Sequence, residues 1–98
     1  MAHYVGVFIP LEAGGWRAVF RDVAECHVEA ASLDLTVFHA VAALADLNQQ
    51  SDRPLAPPRD PAEIRSDDMW ASASGVDWLR SVAMMIPVRQ VRAMALAP

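Results

Sequence analysis

Apolar residues fall along this chain in two rhythms. Residues 3–10, His-Tyr-Val-Gly-Val-Phe-Ile-Pro, are aromatic and β-branched, and a proline closes the run. Both alternating faces are apolar: Tyr4, Gly6 and Phe8 on one, Val5, Val7 and Ile9 on the other. That pattern predicts a strand in the middle of its sheet. Leu11-Glu12-Ala13-Gly14-Gly15 then predicts a hairpin connection, because its glycines accept positive φ. Residues 16–21 alternate strictly, with Trp16, Ala18 and Phe20 opposite Arg17, Val19 and Arg21. This is a strand with one buried and one wet face. A turn at Asp22-Val23-Ala24-Glu25 leads to a third short strand at 26–30, with Cys26, Val28 and Ala30 opposite His27 and Glu29.

From Ser32 onward the period changes. Ser32 is a helix N-cap, and Asp34 complements the dipole of the first turn. The spacing predicts a helix over 33–47, with Leu33, Val37, Ala40, Leu44 and Leu47 lying on the sheet. A second apolar stripe, Leu35, Phe38, Ala42 and Ala45, lies well round the cylinder and leaves a narrow polar arc of Thr36, His39 and Asp46. A helix this apolar needs cover on more than one side. The C-terminal segment or a second subunit is expected to supply it, with Leu35, Phe38 and Ala42 as interface candidates. Trp70 and Trp78 are expected over the same open helix face, or as anchors at an oligomer interface.

A polar, proline-rich stretch follows. Asp60-Pro61-Ala62-Glu63 predicts a short helix opening at Asp60, and a further helical stretch is expected over 67–74, stopped by Gly75. Residues 80–88 predict a last apolar strand, with Pro87 suited to a strand end or a sheet edge. Three sequential strands, a main helix, small helices and a late strand imply an α+β domain: a small antiparallel sheet with the main helix packed on one face. The domain is expected over 1–88, with 89–98 as a tail.

Composition limits the chemistry. The 98 residues make one domain, and the net charge is −4, from twelve acids against eight arginines and no lysine. The arginines form no run or stripe, so direct nucleic-acid binding is not expected. No apolar run reaches a membrane span, and the start lacks the basic segment of a secretory signal. Cys26 is the single cysteine, which excludes an internal disulfide and suits a cytoplasmic location. Cys26 and His27 are neighbours on a strand and point to opposite faces, so they form no catalytic dyad. His3, His27 and His39 lack metal-ligand spacing. No catalytic, cofactor or metal residues are expected, and the chain is read as a non-enzyme. Asp22, Glu25, Glu29 and Asp34 gather around the third strand and the helix start, as an acidic rim or a surface for a basic partner.

Several of these features occur together in one known family. Gly14-Gly15-Trp16, then Phe20-x-Asp22-Val23-x-x-Cys26, then Ala30-Ala31-Ser32, Asp34-Leu35-Thr36, Ala40 and Ala43-Leu44, fall in register without a gap on the pattern of the HicB-like antitoxin domain. The proline-rich stretch and the late Ile86-Pro87-Val88 extend the likeness to Val88. The chain resembles a single-domain member. Arg21-Asp22-Val23-Ala24-Glu25-Cys26 replaces the family's Pro-Asp-Leu-Pro-Gly-Cys turn, and no DNA-binding module is expected after Val88. The resemblance implies a partial ribonuclease H-like fold without its catalytic acids. It also implies a small basic HicA-like toxin as partner, an mRNA-cleaving enzyme whose active surface the domain covers, and self-association into a homo-oligomer. The alternative is a stand-alone oligomeric protein of structural or regulatory role, with the fold but no toxin.

Overall fold

A computed structural model describes residues 3–24, 26–50 and 61–91. Four strands, β1 (His3–Pro10), β2 (Trp16–Phe20), β3 (His27–Ala30) and β4 (Val82–Pro87), form one sheet. The order is β3-β2-β1-β4, and every neighbouring pair is antiparallel. The doubly apolar β1 is central, as its pattern demands. Pro87 is the last residue of the edge strand β4, where its missing N–H costs no ladder bond.

The β1–β2 hairpin closes with Pro10 opposite Trp16. Leu11 N–H donates to the Gly15 carbonyl at 3.1 Å, and Gly14 N–H to the Leu11 carbonyl at 3.0 Å. Gly14 and Gly15 sit at φ 96° and 84°, where other residues are strained. At Gly15 space is also short, since a Cβ would lie 2.7 Å from the Ala30 carbonyl oxygen.

Helix α1 (Leu33–Gln50) begins as its cap predicts, with Leu35 N–H donating to Ser32 Oγ at 3.2 Å. It continues past the expected end at Leu47, because nothing in Asn48-Gln49-Gln50 breaks a helix. Thr36 departs from the expected polar arc, for it is fully buried. Its hydroxyl donates to the Ser32 carbonyl at 2.7 Å, so burial leaves no unmet polar group. Ala45 is likewise in the core rather than on an open stripe.

A 3-10 helix (Pro61–Ser66) and helix α2 (Asp68–Ser74) follow. Asp60, the expected cap of the first, lies outside the described residues. Asp67 caps α2 by accepting from Trp70 N–H at 3.0 Å. Gly75 ends it in the left-handed conformation, with Val76 N–H donating to the Ala71 carbonyl at 2.9 Å.

The two faces of the sheet carry two cores. On one, α1 packs Ala40, Val41, Leu44 and Ala45 against Tyr4, Phe8, Ala18, Phe20 and Ile86. On the other, Val5, Val7 and Ile9 pack with Ile64, Trp70, Val76 and Trp78. This corrects the expected place of the two tryptophans: they cover the sheet face away from α1. The central strand needs apolar cover on both sides, and the 3-10 helix, α2 and the turn after it supply the second layer. The first core also runs past the expected boundary at Val88. Residues 88–91 form a helical turn whose Val91 is buried.

Gly6 shows how tightly the first core is filled. A Cβ there would lie 2.9 Å from the buried Phe20 ring and 3.2 Å from Phe8. Gly6→Ala is therefore expected to destabilise the fold by about 1–3 kcal/mol through overpacking. A lowered midpoint of urea unfolding at unchanged slope would register it.

Candidate protein-binding surface

The four candidate acids do not make one surface. Asp22 is nearly buried, and its Oδ1 lies 3.8 Å from Arg21 Nε. Arg21, with a side chain only 7% exposed, also meets Asp67 Oδ2 at 3.5 Å and Glu63 Oε2 at 3.7 Å. Its guanidinium fork thus ties the end of β2 to the helices of the second face. Asp22 belongs to this internal cluster and is not available to a partner. Periodicity could not reveal the cluster, because it joins residues about 40 positions apart in sequence.

Glu29 is exposed and lies 3.6 Å from the Arg17 guanidinium, one cross-strand position away. Both point away from α1, since their neighbours Val28 and Ala18 pack under it. Glu25 lies outside the described residues. Asp34 is exposed on the first turn of α1.

The apolar candidates separate in the same way. Leu35 and Phe38 are exposed at 49% and 59%, one helical turn apart, and Ala42 is half-buried one turn further. The Phe38 and His39 rings meet edge to face, with centroids 5.9 Å apart. Trp70 and Trp78, half-buried on the opposite side of the molecule, share no patch with them.

Charge distinguishes the α1 side. Helix α1 carries two acids, Asp34 and Asp46, and no arginine or lysine. On α1 itself Asp34 and Asp46 are exposed beside Leu35 and Phe38. The result is an apolar ridge in a negative field, suited to a partner with basic groups around an apolar socket.

Cys26 is buried, with its thiol 3.9 Å from the Ala40 carbonyl, while His27 is exposed on the other face of the sheet. The two side chains cannot act together. Among the described residues no three His, Cys, Asp or Glu side chains converge on a metal position, and no helix is long and apolar enough to cross a membrane. A shallow cavity of about 140 Å³ between Ile9, Glu12, Asp77 and Arg80 has room for a few waters. No protein-family model, no curated protein and no solved structure matches this chain.

Proposed function

We propose that this protein is a non-catalytic binding module of the HicB-like antitoxin type, which neutralises a small basic mRNA-cleaving toxin by covering its active surface. The carrying observation is the exposed Leu35–Phe38 ridge on a helix whose only charged side chains are acidic. An enzyme that grips RNA needs a basic face, and an acidic, apolar ridge is complementary to such a face. Steering by charge would speed the encounter, and burial of Phe38 would contribute about 1.5–3 kcal/mol to holding it. The order of elements, three antiparallel strands, one long helix and a late strand beside β1, supports the family reading. The partial ribonuclease H-like fold and the cytoplasmic location belong to the same proposal.

Affinity capture from the source cells, followed by an RNA-cleavage assay of the retained protein, tests this reading. The wild-type chain should retain a small basic ribonuclease, less tightly as salt rises, and should inhibit it. Phe38→Asp should weaken the complex by about 2 kcal/mol or more, roughly 30-fold, and abolish inhibition. Retention unchanged by Phe38→Asp, or a retained set with no ribonuclease in it, would sink the proposal.

A further inference from the structure

The sheet separates two cores of unequal size. Among the described residues the core under α1 holds twelve buried side chains, and the far one holds four: Val5, Val7, Ile9 and Ile64. Only Ile64 of those four comes from the covering segment, residues 61–78. Trp70, Val76 and Trp78 complete the cover, each half-buried. The two helices of the segment have six and seven residues. Helices this short are not stable alone in water, so their order depends on the sheet beneath them.

Asp67 binds the segment into one unit. Its N–H donates to the Ile64 carbonyl at 3.4 Å, which joins the 3-10 helix to the cap of α2. Its Oδ1 accepts from Trp70 N–H at 3.0 Å, and its Oδ2 lies 3.5 Å from Arg21. One carboxylate thus starts α2 and also fastens it to the end of β2. Glu63, on the 3-10 helix, makes a more exposed tie to the same guanidinium.

We propose that residues 61–78 form a cover that opens as one cooperative unit, ahead of global unfolding, and bares the far side of β1. Opening breaks the ties to Arg21 and lifts Ile64, Trp70 and Trp78 off Val5, Val7 and Ile9. The core under α1 stays closed, because no side chain of that core lies in the cover. The sheet and α1 alone still make a two-layer arrangement. Local opening is favoured where few apolar groups are buried, and the cover is the thinner of the two layers. The opened form presents an apolar strip on the face opposite Leu35 and Phe38, so the cover works independently of any toxin.

One thiol placed in each core reads the two openings separately. In a Cys26→Ala background, Val7→Cys lies under the cover and Val41→Cys lies under α1, both at buried positions. A thiol reagent under native conditions should modify position 7 at least about tenfold faster than position 41. Ile64 and Ile86, both 4% exposed, are the matched controls, one in each core. Ile64→Val should speed labelling at position 7 by roughly two- to tenfold, the effect of deleting one buried methylene. Ile86→Val should speed labelling at position 41 by a similar factor and leave position 7 unchanged. Asp67→Asn keeps a cap for α2 but removes the charge facing Arg21, and should also speed position 7.

Hydrogen exchange makes the same test on the wild-type chain, should a cysteine variant fail to fold. The amides of Ala71 and Val76, bonded to the Asp67 and Ala71 carbonyls, should exchange together, faster than amides in the middle of α1. Their exchange should depend only weakly on urea, because little surface is exposed on opening. Labelling at position 7 no faster than at position 41 would overturn the proposal. So would an Ile86→Val effect equal at both positions, or cover amides that exchange only by global unfolding.

Discussion

Arg21→Ala should cost about 3 kcal/mol of stability, the lower end of the range for removing one partner of a buried ion pair. The guanidinium is nearly inaccessible and sits among Asp22, Asp67 and Glu63. Without it, Asp22 is left a nearly buried carboxylate with its cation gone. Glu63 is well exposed and loses little, because water screens it. The second effect is architectural, since Arg21 is the polar tie between β2 and the segment that carries Ile64, Trp70 and Trp78 to the far face of the sheet. For a domain of this size, 3 kcal/mol corresponds to a fall in melting temperature of roughly 15 °C. Arg21→Lys should recover only part of the loss, because an ammonium cannot span three carboxylates as a planar fork does. Thermal and urea unfolding of both variants would check the order. Equal stability of wild type and Arg21→Ala would show that the cluster is no more than a crowd of surface charges.

Phe8→Ala should be at least as damaging, at about 3–5 kcal/mol. Phe8 is fully buried on the central strand, in the core under α1. Its removal leaves a hole that the antiparallel neighbours β2 and β4 cannot close without breaking ladder bonds. Chemical denaturation should show the midpoint falling at a similar slope. Phe8→Leu, which keeps more of the volume, should lose markedly less. Replacements on the exposed ridge, by contrast, should leave stability nearly unchanged and act on binding. That contrast separates residues that hold the sheet from residues proposed to meet a partner.

Much of the architecture was legible in local pattern. A run apolar on both faces can be stable only between two covered layers, which made β1 central whatever its partner strands. Strict alternation at Trp16–Phe20 assigned its faces, Ser32 and Gly75 marked helix ends, and Pro87 marked an edge. Each of these signals is short-ranged, arising from sterics, capping or hydrogen-bond loss within a few residues. Predictions failed where a contact closes over long sequence distance. Trp70 and Trp78 read as cover for the open face of α1 or as interface anchors, and their place on the far sheet face was not legible, because hydrophobicity carries no direction. Thr36 looked polar and exposed until its bond to the Ser32 carbonyl made burial cheap. Asp22 counted as a free acid until Arg21 came within 3.8 Å.

Local chemistry alone, then, was enough for the α+β class, the hairpin, the long helix and its N-cap, and the absence of any cysteine pair. Tertiary packing decided three further things: that both faces of the sheet carry a core, that Arg21 gathers acids from the turn after β2 and from the helical segment beyond α1, and that Phe38 is exposed while, among the described residues, nothing pairs with the outer side of β4. The reason is physical. Secondary structure arises from interactions within a turn or a strand pair. Which surfaces remain uncovered depends on the whole chain at once, because each element can be buried against any other of matching shape.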